Sequence, residues 1–192
     1  RAKIILNHTA THLLHQALRD RLGKHVHQKG SLVNDEKLRF DFSHEEPLSA
    51  KEIQAVELMV NQAIRKNYET VVQYMAYDDA INFGAMALFG EKYGDEVRVV
   101  DIGGYSVELC GGTHADATGD IGTFKITDET AVAAGIRRIE AVTGDMAVTM
   151  IQHEATQLKA VAQSLNVKND DVLTAIRQLS EQNKLLQKEL NT

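Results

Sequence analysis

The apolar residues of this chain change their period along its length, and those changes limit what it can fold into. From Ala2 to Leu22 they recur at helical spacing, through Leu6, Leu13, Leu14, Leu18 and Leu22, until Gly23 stops the run. The period then drops to two. HVHQKGSLVN and KLRFDFS read as a hairpin across Asn34-Asp35-Glu36, with Leu38, Phe40 and Phe42 on one face. Ser49 and Glu52 form a capping box after the sole proline, Pro47, and start a helix that runs to about Lys66. ETVVQYMA is a strand, and DDAINFGAMALFGEKYG gives short helical turns broken at Gly84 and Gly90. EVRVVDIG, YSVEL, IGTFKITDE and IRRIEAVTG are further strands. Helices and strands come in blocks and do not alternate strictly, so residues 1–145 read as an α+β unit.

After residue 146 the pattern is different. Val148, Ile151, Ala155, Leu158, Ala162 and Leu165 step alternately by three and four. Beyond a break at NVKND, Val172, Ile176, Leu179, Asn183, Leu186 and Leu190 do the same. Residues 146–192 are therefore two heptad-patterned helices, able to form a hairpin, pair with a second copy as a homodimer, or pack back on the first domain. A chain that opens inside a helix at Arg1 and stops in a helical repeat at Thr192 reads as a segment of something longer.

Composition excludes some classes. There is no run of 18 apolar residues and no signal-peptide pattern, so no membrane partner is expected. A single cysteine in 192 residues cannot form an internal disulfide, which suits a reducing, cytoplasmic setting. The net charge of −6 disfavours broad nucleic-acid binding, but it is unevenly spread. Residues 1–45 hold 8 Lys and Arg against 5 Asp and Glu, and residues 46–146 hold 8 against 17. A nucleic-acid partner would have to meet local clusters such as Lys24/Lys29 and Arg137/Arg138.

The chemistry concentrates in two pairs. His8 and His12 are one helical turn apart on the first helix, the spacing two imidazoles need to reach one cation. Cys110 and His114 flank two glycines in ELCGGTH, where the backbone is free to curl round an ion. Three nitrogens and one thiolate form a borderline-soft set suited to zinc. His15 shares the helix face and could replace one ligand, although it reads as a flanking residue. His25 and His27 alternate on a strand and could approach, and His44 and His153 lack any partner pattern. Four protein ligands are the habit of a structural zinc, whereas a catalytic zinc keeps a position open. The metalloprotease pattern HExxH is absent. Thr11 lies on the face of His8, His12 and His15, which aims a hydroxyl at the cation and suggests a small polar ligand.

NHTATHLLHQAL, QKGSLV with RFDFSH, GAMALFGEKYG, ELCGGTHADATGDIG and AAGIRRIEAVTG together resemble the editing domains of the alanyl-tRNA synthetase family. The resemblance runs from about residue 3 to 145 and continues into the helical linker that follows in the bacterial type. Threonyl-tRNA synthetases share the two metal-ligand pairs, while GIRRIEAVTG and GAMALFGEKYG favour the alanyl branch. The resemblance implies a small antiparallel sheet packed with helices, with zinc on His8, His12, Cys110 and His114. It also implies a serine-sensing threonine at Thr11 and an active-site glutamine at Gln28. The expected activity is hydrolysis of tRNA(Ala) mischarged with serine or glycine, with tRNA(Ala) as partner and Cys110 counted with Thr11 and Gln28 among the catalytic groups. The ATP and Mg2+ of aminoacylation would belong to a domain upstream. Two other expectations remain: a free-standing deacylase of the same superfamily, and a zinc-stabilised tRNA-binding or dimerisation module without catalysis.

Overall fold

The computed structural model of the protein describes residues 2–87 and 92–191. It consists of two compact units, residues 1–148 and 149–192. In the first, α1 (Ala2–Leu22) is followed by the hairpin strands β1 (Gln28–Val33) and β2 (Leu38–Ser43), and by α2 (Ala50–Arg65). Next come β3 (Thr70–Ala76), α3 (Tyr77–Phe83), β4 (Glu96–Ile102) and β5 (Ser106–Leu109). A 3-10 turn over Thr118–Ile121 leads to β6 (Phe124–Ala133) and β7 (Ile136–Thr143). α4 (Gly144–Ser164) and α5 (Val172–Leu190) follow. This is the α+β organisation expected. The break expected at Gly90, and part of GAMALFGEKYG, lie outside the described residues.

Where one small antiparallel sheet was expected, the described strands form two. One has the order β1-β2-β7-β6 and the other β3-β4-β5, and every pairing is antiparallel. The physical reason is a change of partner: β2 takes β7, about a hundred residues away, in the register Phe40↔Ile139, whereas β3, β4 and β5 pair locally. Leu38, Phe40 and Phe42 are fully buried on one face of β2. They pack with Leu13, Leu14 and Leu18 of α1, Val56 and Val60 of α2, and Val100 and Ile102 of β4 in a single core. The side chains between them turn away. Asp41 meets its cross-strand partner Arg138 in two hydrogen bonds of 2.7 and 2.8 Å.

α2 starts where the capping box places it. Ser49 accepts from the Glu52 amide, and the Glu52 carboxylate accepts from the Ser49 amide at 2.8 Å. Its far face docks on the start of β6 through side chains that imitate a neighbouring strand. Asn61 donates to the Phe124 carbonyl at 2.8 Å and accepts from the Phe124 amide at 3.0 Å. Glu57 accepts from the Ile126 amide at 2.8 Å.

In the second unit the heptad positions form a face that is exposed for most of its length. Ile151, Leu158, Ile176, Leu179, Leu186 and Leu190 are exposed, whereas Ala162 and Val172 are buried. Among the described residues, no helix is long and apolar enough to cross a membrane.

Candidate metal centre

α1 carries the first pair of donors inward, since ten of its residues are buried and His12 is one of them. The second pair lies on the loop that leaves β5. Five hydrogen bonds hold that loop. Cys110 donates its amide to the Arg98 carbonyl at 3.1 Å. The Arg98 guanidinium donates to the carbonyls of Cys110 (2.6 Å) and Gly112 (2.8 Å). The Ala115 amide donates to Thr9 Oγ1 at 2.9 Å, and His8 Nδ1 donates to the Thr113 carbonyl at 3.1 Å. The loop must pass close against α1 to make these bonds. A Cβ on Gly112 would run into the His8 ring, so only glycine fits there.

The result brings His8, His12, Cys110 and His114 together, with one ligand atom from each inside a span of 4.8 Å. His8 Nε2 lies 3.5 Å from Cys110 Sγ, and His12 Nε2 lies 3.0 Å from His114 Nε2. A tetrahedral cation at roughly 2.0–2.3 Å from each donor has edges of roughly 3.3–3.8 Å, so the four atoms need shift only by fractions of an ångström to surround one. His8 turns its Nδ1 to a carbonyl and His12 turns its Nδ1 to a carboxylate, so both Nε2 atoms face inward. Among the described residues, buried His114 Nδ1 has no hydrogen-bond partner. This donor set fits a divalent, borderline-soft cation and can hold one.

The electrostatics agree. Burial pushes the Cys110 thiol up, but hydrogen bonds with His114, His12 and His8 outweigh it and bring it down to about 3. Burial pushes the His12 ring down, but the charge of Glu108, with Cys110, outweighs that and lifts it to about 10. Burial also pushes Glu108 up, and the charge of His12 and hydrogen bonds from His12 and His15 hold it below the usual carboxylate range. His114 is lowered, chiefly by burial. Two anions thus hold a proton on His12, and a metal cation between the same groups can take that proton's place.

Other expected site residues lie elsewhere or do something else. Thr11 is buried one residue before His12, but its hydroxyl donates back to the Asn7 carbonyl at 2.9 Å, so only its lone pairs remain to offer. Gln28 opens β1 and donates to Ser31 Oγ at 3.3 Å. His15 is not among the four: its Nδ1 lies 3.0 Å from Glu108 Oε1. His25, which could have approached the cluster, stacks instead on His44, which had no partner pattern, with their ring nitrogens 2.9 Å apart. Arg137 and Arg138, expected as a cluster for a phosphate, are both ion-paired within the sheet. Strand pairing sets each against a carboxylate, Arg137 on Glu129 at 2.6 and 2.8 Å and Arg138 on Asp41. Sequence reasoning missed Glu108, Arg98 and Thr9. Glu108 had one legible signal: it lies on a strand two residues before Cys110, and alternation carried one residue past the strand end puts the two on the same side.

Residues 97–140 match the second additional domain of threonyl and alanyl tRNA synthetases. Along all 192 residues the chain is 53% identical to the alanine--tRNA ligase of Xanthomonas campestris pv. campestris. It is 54% identical over the same length to that of Xanthomonas oryzae pv. oryzae, and 56% identical over 190 residues, 99% of the chain, to that of Burkholderia mallei. It spans 22% of the length of each of these relatives. Part of the first unit thus matches a synthetase-associated additional domain. The whole chain is similar to one region of the alanine--tRNA ligases, so the resemblance to the alanyl-tRNA synthetase family is borne out.

Proposed function

We propose that this chain is the editing module of an alanyl-tRNA synthetase, hydrolysing the ester that joins serine or glycine to tRNA(Ala), with zinc held by His8, His12, Cys110 and His114. The observation that carries the reading is the convergence of those four donors within 4.8 Å, between α1 and the loop after β5. The similarity to alanine--tRNA ligases supports tRNA(Ala) as the partner and the ligation of alanine, using ATP, as the task of the longer protein.

The need for such a module follows from the size of the amino acids. An alanine pocket separates glycine, one methyl smaller, by only about 1–3 kcal/mol, and an apolar pocket rejects an added hydroxyl by roughly a hundredfold. A second site that hydrogen-bonds the hydroxyl can select in the opposite sense. Thr11 suits that role. Its proton is committed to the Asn7 carbonyl, so its oxygen can accept from the hydroxyl of a seryl group, and an alanyl group would leave it unpaired. Gln28, with an amide that can donate and accept, is the candidate to hold the ester end. Bound zinc would supply a Lewis-acidic centre for the aminoacyl group or the attacking water. Arg98 of β4 and Thr9 of α1 tie the cysteine loop down, so the donors stand in place before the substrate arrives.

The test is deacylation of Ser-tRNA(Ala) by the zinc-loaded chain and by Cys110→Ala. Wild-type hydrolysis that is lost in the variant is the expected result. Full activity in Cys110→Ala with zinc still bound would rule out a part for the thiolate in the reaction. The exposed apolar face of α4 and α5 favours a second reading, a non-catalytic module that binds tRNA or a partner helix. Retained tRNA binding without hydrolysis by the zinc-loaded wild type would select it.

A further inference from the structure

Glu108 bears a charge in a place where a charge needs a reason. It sits on β5, 4% exposed, opposite Val100 of β4. Burying a carboxylate is costly unless its oxygens are hydrogen-bonded and its charge is balanced. Both oxygens are engaged. Oε2 lies 2.9 Å from His12 Nδ1, and Oε1 lies 3.0 Å from His15 Nδ1 and 3.3 Å from Ser106 Oγ. An ionised carboxylate can only accept, so all three neighbours must donate.

That requirement fixes the rings. His12 must carry its proton on Nδ1, which directs the Nε2 lone pair at the cluster, where it already lies 3.0 Å from His114 Nε2. The His15 ring packs on Phe40 with 5.2 Å between centroids, and among the described residues its Nε2 has no hydrogen-bond partner. Among the described residues its side-chain hydrogen bond is to Glu108, so His15 serves to hold the carboxylate in its orientation. The charges also match: a dication among three neutral imidazoles and one thiolate leaves one positive charge, and Glu108 supplies the missing negative one.

We propose that Glu108 is the positioning residue of the metal centre. It sets the tautomer and aim of His12 and neutralises the bound dication, with His15 holding it in turn. This rests on the metal-centre reading above and adds a residue outside the ligand set. Carboxylate partners of ligating histidines govern affinity as well as orientation, and their loss costs roughly 10–100-fold in metal binding.

The test is zinc affinity by competition with a chromophoric chelator, using Zn2+ alone and no tRNA. Glu108→Gln keeps the shape but offers an NH2 group to one of two histidine N–H donors, so donor faces donor. A roughly 10–100-fold weaker affinity than wild type is expected. Asn61→Ala, which loosens the fold at α2 and β6 far from the loop in sequence, is the control and should bind zinc as wild type does. Equal affinity in wild type and Glu108→Gln overturns the proposal, as does an equal loss in both variants. A wild type that takes up no zinc removes the metal reading itself, and that result appears before any variant is made. If Glu108→Gln does not fold, proton NMR of the zinc-loaded wild type decides. The Nδ1 protons of both His12 and His15 should be downfield and slow to exchange, and absence of the His12 signal overturns the proposal.

Discussion

Gly112 shows how much the cluster depends on a side chain that is not there. Its position is set by the Arg98 guanidinium on its carbonyl, and the His8 ring fills the space a Cβ would need. Gly112→Ala therefore has to move either the loop or His8, and either displacement separates the donors. The fold should survive, because this contact is outside the hydrophobic core. Zinc affinity should fall by at least the roughly tenfold that loss of an outer partner costs. Chelator competition beside a thermal melt of the metal-free protein checks this, and unchanged affinity would mean that the loop yields freely. The donors themselves were legible in the sequence because helical spacing and a glycine-flexed loop are local properties. Their supports were not. Thr9, Arg98 and Glu108 act through contacts 106, 14 and 96 residues apart in the chain, and no local pattern carries such pairings. Thr11 shows the opposite limit: its face on the helix was readable, but the commitment of its proton to Asn7 was not.

At the scale of elements, the joint between α2 and β6 is made by side chains standing in for a strand. Asn61 satisfies both the amide and the carbonyl of Phe124, and Phe124 is itself buried in the core. Asn61→Ala leaves two backbone groups without partners at about 1–3 kcal/mol each when buried, offset where water enters. A loss of about 2 kcal/mol in unfolding free energy is expected, read from urea denaturation at fixed metal concentration. A change under about 0.5 kcal/mol would mean that Glu57 alone secures the joint. The elements were readable for a reason this joint illustrates. Period and caps are written within a dozen residues, as in the Ser49–Glu52 box or the alternation of Leu38, Phe40 and Phe42. The division into two sheets was not readable, because it depends on β2 choosing β7 as its partner, and periodicity on each strand is the same whichever partner it takes.

At the scale of the whole molecule the question is how a chain of net charge −6 would meet the tRNA proposed as its partner. The pairing of Arg137 with Glu129 and Arg138 with Asp41 offsets the charge of one of the two clusters expected to do so. Positive charge then gathers between the end of α1 and the start of β1, with Arg19, Arg21, Lys24 and Lys29 in eleven residues against the single acid Asp20. The field there registers on His27, whose pKa is lowered by burial first and then by Arg19, His15, Lys29 and His25. Arg21 and Lys24 are exposed, and Gln28 lies within the same stretch. Phosphate contacts by such residues release counterions, so each contributes roughly 0.7–0.9 to the slope of log affinity against log salt. Reversing two charges, Arg21→Glu with Lys24→Glu, should weaken tRNA binding and make that slope shallower by roughly 1.4–1.8 if both touch phosphate. The comparison is Lys159→Glu with Lys168→Glu, which changes the net charge equally in the second unit. A much smaller change of slope there would place the RNA backbone along the basic stretch of the first unit. Equal changes in the two double variants would show that the RNA responds to net charge alone, and the stretch from Arg19 to Lys29 would then have no special part in binding.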